Sequence, residues 1–358
     1  MRNSNTNRLA GLVALVAFVG VTTALSVGPF VCSAQAEQKI LRLGTSKEGS
    51  IGYASGVGVT ACIKKHVKGV SVEAVPTPGS TASVKIFAKK GVDFAYANTW
   101  TLRDAYNDTG PFAKAPIKRR PLQGWYWTTA DYLIFVKADR EDINSLHDLV
   151  GKKFFPFVAG SGIYDIYRYV FTKMGIWDKI KERQVGIREC PDALQMGTID
   201  AIGGYSNSKQ LAPPWGRELD ARLKIKVLMP TPEEKKFLKG IRGITCRELS
   251  NKWMRPANQA LNPVVWGWTV NYGFHPGPHL STDVIYQIYK VWIDHAKDEL
   301  APVNAHLKLY AEDPLGQQVV SIEEAKDIPV HPGVAKYLKE KGLWKDHWIV
   351  GTLDPGVK

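Results

Sequence analysis

Residues 151–176, GKKFFPFVAGSGIYDIYRYVFTKMGI, read as one strand, one sharp turn and one helix, and this unit limits the chain to a small set of folds. Phe154, Phe155, Phe157 and Val158 supply the aromatic and branched residues of a buried strand over 154–158, with Pro156 discordant. Ala159-Gly160-Ser161-Gly162 then makes a small, polar, glycine-flanked helix start. Ile163, Ile166, Tyr167, Val170, Phe171 and Met174 recur at the spacing of an amphipathic helix, and Gly175 stands where it should end. Such a turn leaves backbone N–H groups unpaired at the positive end of a helix dipole, which favours a carboxylate or phosphate. An ordinary N-cap with no ligand explains the same residues.

The unit recurs along the chain. Residues 40–43 alternate as a short strand and run into a glycine- and hydroxyl-rich loop containing Ser46, Ser50 and Tyr53, followed by a helix with a small face at Ala54, Val57, Gly58, Ala61 and Cys62. Val70, Val72 and Ala74 mark the next strand, and Gly79-Ser80-Thr81 opens another helix through 82–89. A third strand over 91–98 ends at Asn98 and Thr99. Strands alternating with helices predict an open, mostly parallel α/β sheet whose ligands gather at strand carboxyl ends, where these hydroxyl and amide residues lie. Gly91-Val92-Asp93 and Gly197-Thr198-Ile199-Asp200 place an aspartate at the start of a strand in each half, an echo of two like-designed lobes. As single residues these aspartates read as turn formers. The second echo leads into Gly203-Gly204-Tyr205 at a strand end.

Residues 125–127 and 132–136 read as extended chain leaving the first sheet, and 264–271 as a strand that returns to it. A helix is expected within 143–151, an irregular peripheral elaboration over 212–232, a helix over 233–239, a long helix over 283–300 and a terminal helix over 334–341. Arg2 and Arg8 precede an apolar run over 9–27, and Ala34-Gln35-Ala36 follows, so residues 1–36 are expected to be a cleaved secretory signal. Removing them takes away two arginines and no acid, leaving +11 of the chain's net charge of +13. About 320 residues remain, enough for two full cores. The basic residues are scattered among acids rather than set in a stripe, which argues against a nucleic-acid surface and leaves a membrane surface or a small anionic ligand as partner classes.

Much chemistry is absent. His275 and His279 are separated by Pro276-Gly277-Pro278, so they cannot share a helix face as zinc ligands, and no metal or cofactor is expected. Gly160-Ser161-Gly162 is flanked by Ala159 and Ile163 and so is not a nucleophile elbow. Gly56-Val57-Gly58-Val59-Thr60-Ala61 matches a dinucleotide fingerprint in form only, since its glycines fall inside a helix. Cys62 reads as a buried thiol, while Cys190 and Cys246 are permitted to pair in an oxidising compartment.

Taken in order, Gly44-Thr45, Gly49, Tyr53 and Gly56, then Gly79-Ser80, Gly91-Val92-Asp93, Gly160-Ser161-Gly162, Gly197 with Ile199-Asp200-Ala201, and His331-Pro332-Gly333 resemble the TAXI family. These are the solute-binding subunits of tripartite ATP-independent periplasmic (TRAP) transporters. The resemblance implies a two-lobed periplasmic-binding-protein fold of type II, each lobe a mostly parallel sheet flanked by helices, joined by two crossover strands near 126–136 and 266–271. It divides the chain into a signal (1–36), a first lobe (37–130), a second lobe (131–265) and a return to the first (266–358). It further implies a non-catalytic, monomeric periplasmic receptor that closes on a small anionic solute, an amino acid or dicarboxylate, and hands it to a TRAP permease. Carried over by position, Ser46, Ser50, Tyr53, Ser80, Thr81, Asn98, Thr99, Ser161, Gly162, Gly203, Gly204 and Tyr205 would line the cleft. Ser50 and Gly52 stand where the family has Gly and the first of two tyrosines, and Ile163 replaces a Thr, so ligand identity stays open. The tryptophans at 100, 125, 127, 215, 266 and 268 serve either as apolar cleft walls for a larger acid or as core packing. The same fold serving an ATP-driven importer, or an exported enzyme using Ser161 or His331, are the other readings.

Overall fold

The computed structural model describes residues 39–207, 211–241 and 244–358. The expected signal segment lies outside them. The strands are β1 (Lys39–Gly44), β2 (Val70–Val75), β3 (Phe94–Asn98), β4 (Trp125–Lys137), β5 (Lys153–Phe155), β6 (Lys181–Glu182), β7 (Ala201–Asn207), β8 (Ile225–Val227), β9 (Thr245–Leu249) and β10 (Val265–Pro276). Between and after them lie α1 (Ile51–His66), α2 (Ser80–Ala88), α3 (Thr99–Asn107), α4 (Gly162–Lys173), α5 (Cys190–Gln195), α6 (Pro214–Arg222), α7 (Pro232–Lys239), α8 (Pro256–Leu261), α9 (Thr282–Asp294), α10 (Ala305–Tyr310), α11 (Pro314–Glu324) and α12 (Pro332–Glu340).

The sheet order is β2-β1-β3-β10-β4-β7-β5-β6, with β8 on β4 and β9 on β10. β1, β2 and β3 are parallel at one end, and β5, β6 and β7 are parallel at the other. The antiparallel pairs all involve β4 or β10, and each of these long strands serves both ends. Residues 268–274 of β10 pair with 125–132 of β4, and 272–276 pair with β3. On their outer edges both strands change partner: 265–269 of β10 pair with β9, and 130–136 of β4 pair with β7. The architecture is therefore an α/β fold of two lobes, each a mostly parallel sheet with helices, connected by two crossing strands. One apolar core gathers Ile134, Phe154, Tyr167, Ile202, Trp215 and Trp268, and a second gathers Leu43, Ile63, Trp125, Phe274, Trp292 and Tyr337.

The echo between the halves is realised in hydrogen bonds. Asp93 N–H donates to Arg42 O at 2.8 Å, while its carboxylate accepts from Arg42 N–H at 2.8 Å. Asp200 does the same with Lys153, at 2.7 and 2.8 Å. Each aspartate thus ties the start of its strand to the parallel neighbour, the local role expected of a turn former.

Several elements differ from expectation. The strand expected over 154–158 stops at Phe155, because Pro156 has no N–H to give a ladder and Phe157 turns to φ 84°, a left-handed conformation costly for an aromatic residue. Its ring is held against Phe155, Tyr205 and Trp215, which offsets that cost. The helix expected within 143–151 is a single 3-10 turn, His147–Leu149, while the long helix over 283–300 breaks at His295 and finishes as a π turn, Ala296–Leu300. The 212–232 segment is not peripheral. It holds α6 and β8, and Trp215, Leu219, Ile225 and Val227 are buried in the core. All six tryptophans weighed as cleft walls are buried, none more than 6% exposed, so core packing accounts for them. Cys62, Cys190 and Cys246 are free thiols, and the permitted Cys190–Cys246 bridge is not formed. The Gly56-to-Ala61 fingerprint lies inside α1, as its reading as a decoy requires.

Where β4 and β10 change partners the apolar pattern gives way to a buried polar seam. Thr129 Oγ1 donates to Asn271 Oδ1 at 3.1 Å, Gln317 Nε2 donates to the same oxygen at 3.0 Å, and Asn271 Nδ2 donates to Glu324. Arg247 of β9 reaches the fully buried Asp131 of β4 at 3.3 Å. Burial pushes the Glu324 carboxyl up to about 7, against Arg247 and the Thr245 hydroxyl, which favour its ionised form. A folded-state value above the ordinary one stabilises below pH about 4.5, and that contribution is lost as pH rises to about 7. Glu324→Gln keeps the oxygen that Asn271 meets and cannot ionise. Its free energy of unfolding is expected to rise relative to wild type between pH about 4.5 and 7 and then hold a constant lead of about 1–3 kcal/mol. A lead independent of pH would show that Glu324 does not titrate in this window.

Candidate functional site

The carboxyl ends of β1, β2 and β3 and the turn after β5 deliver four helix starts to the space between the lobes. Ser50 caps α1, its Oγ accepting from Tyr53 N–H at 3.2 Å. Gly79 precedes α2 and offers no side-chain cap, so the first amides of α2 have no local acceptor. Asn98 caps α3, its Oδ1 accepting from Thr101 N–H at 2.7 Å. Ser161 caps α4, accepting from Tyr164 N–H at 3.2 Å and donating to Val158 O at 2.7 Å. The Ser161 hydroxyl is therefore committed to the turn, while Gly162 and Ile163 keep N–H groups with no acceptor among the described residues.

Three of these starts meet directly. Gly162 is buried, and a methyl group on it would run into Ser80 Oγ and lie 3.0 Å from Asn98 Nδ2. Thr101 Oγ1 donates to Ser80 Oγ at 3.3 Å, and Thr81 Oγ1 reaches across the lobes to Asp165 Oδ2 at 2.8 Å. Burial pushes the Asp165 carboxyl up, with the Thr81 hydrogen bond opposing. Trp100 packs its ring 4.5 Å from that of Tyr169, closing the lobes alongside. The turn of one lobe thus sits on the helix starts of the other, and only glycine allows so close an approach.

The fourth start joins through a tyrosine. A methyl at Gly52 would lie 3.0 Å from both the Ser46 Cβ and the Tyr96 hydroxyl, so the first loop rests on Tyr96. Tyr96 stacks on Tyr272 at 5.5 Å between ring centroids, and the Tyr272 and Tyr132 hydroxyls are 3.5 Å apart. Burial pushes the phenols of Tyr96, Tyr132, Tyr205 and Tyr272 above their ordinary values, and charge on Tyr272 would raise the other three further. Asn98, fully buried, has no acceptor for Nδ2 in hydrogen-bond geometry, yet it helps Tyr132 to favour the ionised form of Tyr272. A buried amide donor without an acceptor costs about 1–3 kcal/mol, a cost that an incoming acceptor relieves.

Among the expected site residues the structure gathers Ser80, Thr81, Asn98, Ser161 and Gly162, and sets Ser46 beside Gly52 and Tyr96. Tyr53 is half-buried on the first turn of α1, its amide taken by Ser50. Thr99 is turned to the crossing strands, its hydroxyl accepting from Asn271 N–H at 3.3 Å. Gly203 and Gly204 make room for rings: methyl groups there would crowd Phe154 and Tyr167 in the first case and Phe135 and Trp215 in the second. Tyr205 follows them into the tyrosine cluster and stands edge-on to Phe157. The sequence reading missed Tyr96, Tyr132, Tyr272 and Asp165. Tyr96 lies two residues before Asn98 on β3, so alternation puts both on one face, a signal that was available. His331 is an N-cap residue of α12, with Nδ1 accepting from Gly333 N–H at 3.1 Å and Nε2 3.0 Å from Leu280 O. No cluster of three metal-ligating side chains occurs among the described residues.

Fold and site together define a two-lobed α/β protein whose helix starts meet where the lobes face each other. A model of the NMT1-like family matches residues 43–235, more than half of the chain, and the protein belongs to that family. Solved structures are similar to it at low identity. The periplasmic aliphatic sulphonate-binding protein of Escherichia coli shows 14% identity over 84% of this chain and 83% of its own, with a TM-score of 0.41. A putative periplasmic sulfonate-binding protein of Methylobacillus flagellatus shows 16% over 89% and 99%, at 0.46. An ancestral arginine-binding protein bound to arginine shows 18% over 77% and 98%, at 0.43.

Proposed function

We propose that this protein is an exported, non-catalytic receptor that captures a small carboxylate, an amino acid or dicarboxylate, between its lobes and presents it to a TRAP-type permease. The observation that carries this reading is the meeting of three helix starts across the lobes, with Gly162 against Ser80 and Asn98. Converging helix dipoles and unpaired N–H groups hold an anion without a counter-charge. Asn98 Nδ2 and the hydroxyls of Ser80 and Ser46 would orient it, and the tyrosine cluster would form the floor. The two crossing strands provide the hinge on which such a receptor opens and closes. The signal-like segment over 1–36 supports export, and the order of motifs shared with TAXI receptors supports a permease driven by an ion gradient.

A thermal-shift screen against small mono- and dicarboxylates tests this reading. At least one is expected to raise the midpoint in proportion to the logarithm of its concentration, since a ligand of the folded form stabilises by mass action. No stabilisation by any carboxylate, or turnover of the one that binds, would remove the receptor reading. Solute uptake into vesicles carrying the partner permease is expected to follow an ion gradient without ATP.

A further inference from the structure

A second charged site lies at the other end of β3 from the interlobe cleft. Asn98 closes β3 and Asp93 immediately precedes it, so the five residues of the strand set the two sites roughly 16 Å apart. Around Asp93 the α2–β3 turn, β1, the 118–122 segment, the β10–α9 turn and the C-terminal segment enclose an open cavity of about 800 Å3. Its wall carries Arg42, Lys90, Lys118, Arg119, Arg120 and His279, against Asp93 and Asp354.

The charges do not cancel within the wall. Asp93 is occupied: Arg42 N–H and His279 Nε2 meet its carboxylate at 2.8 and 3.0 Å, and Arg42 Nε lies 3.7 Å from it. Burial pushes the Asp93 carboxyl up, but these partners outweigh it and hold it below its ordinary value. Arg120 is matched by Asp108, both carboxylate oxygens accepting from Nη2 at 2.9 and 3.0 Å. Lys90, Lys118 and Arg119 remain with no ion pair among the described residues, against the single carboxylate of Asp354. Arg119 is fixed in place. Its guanidinium stacks 4.1 Å above the Phe87 ring, Nη1 donates to Phe87 O, and Nη2 lies 2.8 Å from His279 Nδ1. Burial disfavours its charged form and outweighs the support of the Asp93 and Asp354 carboxylates, with Arg42 adding to the burial effect.

We infer that this cavity is a second, separate anion site, which takes the dianionic phosphate of a phosphomonoester. Three uncompensated cations facing one carboxylate leave a charge near +2, which a dianion neutralises. A planar guanidinium and two mobile ammonium groups match tetrahedral oxygens better than a single carboxylate. The volume exceeds that of inorganic phosphate severalfold, so the phosphate belongs to a larger molecule, either a soluble metabolite or a phosphomonoester lipid headgroup.

Two arms separate these sources. The full chain is titrated calorimetrically with sn-glycerol 3-phosphate, and separately sedimented with phosphatidylcholine vesicles with and without phosphatidic acid, both at about 0.15 M salt. Saturable binding is expected in at least one arm, and the arm that responds names the source. Lys90→Gln with Lys118→Gln, both exposed positions, is expected to weaken it by about tenfold or more, and Arg119→Gln likewise. Gly162→Val, in the interlobe cleft, is expected to leave it unchanged. Absence of binding in both arms, equal binding by the lysine double variant, or loss of binding in Gly162→Val would each overturn the assignment.

Discussion

Gly162→Val is expected to lower the affinity for the cognate carboxylate by about 5- to 150-fold while leaving the unliganded protein folded. Gly162 does not adopt a left-handed conformation, so the backbone accepts a side chain. The obstacle is steric and lies across the lobes, where the new atoms would meet Ser80 Oγ and Asn98 Nδ2. Overpacking of this kind costs about 1–3 kcal/mol and falls on the closed form alone, because opening separates the two surfaces. Each 1.4 kcal/mol taken from the closed form lowers apparent affinity about tenfold. Gly162→Ala is expected to cost less, about threefold to tenfold, since the Ser80 hydroxyl can rotate away. A glycine needed only for folding would give the opposite pattern, with Gly162→Val lowering the midpoint equally with and without ligand. Calorimetric titration alongside thermal unfolding separates the two.

Asn98→Asp is expected to abolish more than a hundredfold of affinity with little loss of stability. The substitution preserves the oxygen that caps α3 at Thr101, and a carboxylate at a helix N-terminus is favoured by the dipole. It removes the Asn98 side-chain donor, Nδ2, which has no acceptor among the described residues. It also places a negative charge beside Gly162, where the solute's own carboxylate is proposed to sit. Like charges brought together in a dry site cost several kcal/mol. Asn98→Ala provides the contrast: it forfeits the cap, costing about 1 kcal/mol of stability, and loses the donor without adding repulsion. Its affinity is expected to fall less than that of Asn98→Asp although its stability falls more. Affinities that track stability across the pair would assign Asn98 a capping role alone.

The parts of the fold that follow local rules were legible in the sequence. The Gly160-Ser161-Gly162 turn, the apolar spacing of α4 and the aspartates that open β3 and β7 depend on residues within one turn or strand of each other. Periodicity alone misplaced elements whose end is set by a distant contact. Phe157 has the composition of a strand residue, but its left-handed backbone is held by Tyr205 and Trp215, some 50 residues further on. The 212–232 segment looked irregular because α6 and β8 are short, and burial rather than pattern fixes them. Within the candidate site, hydroxyl and amide residues at strand ends could be picked out by position. Their division of labour could not: Ser161 Oγ is consumed by its own turn, and the unpaired donors are the backbone N–H groups beside it. The tyrosine cluster is contributed by β3, β4, β7 and β10, and only the sheet order brings those four strands together. Sequence order gives no such adjacency.

The most direct test of the account is amide NMR of the full chain titrated with the carboxylate that gives the largest thermal shift. Hydrogen bonding to the solute is expected to move the backbone N–H signals of Thr81, Gly162 and Ile163 and the side-chain amide of Asn98 downfield together, with one saturation curve. Perturbations confined to other surfaces, the Arg119 cavity included, with these four signals unmoved at saturation, would contradict an anion held between the helix starts of the two lobes.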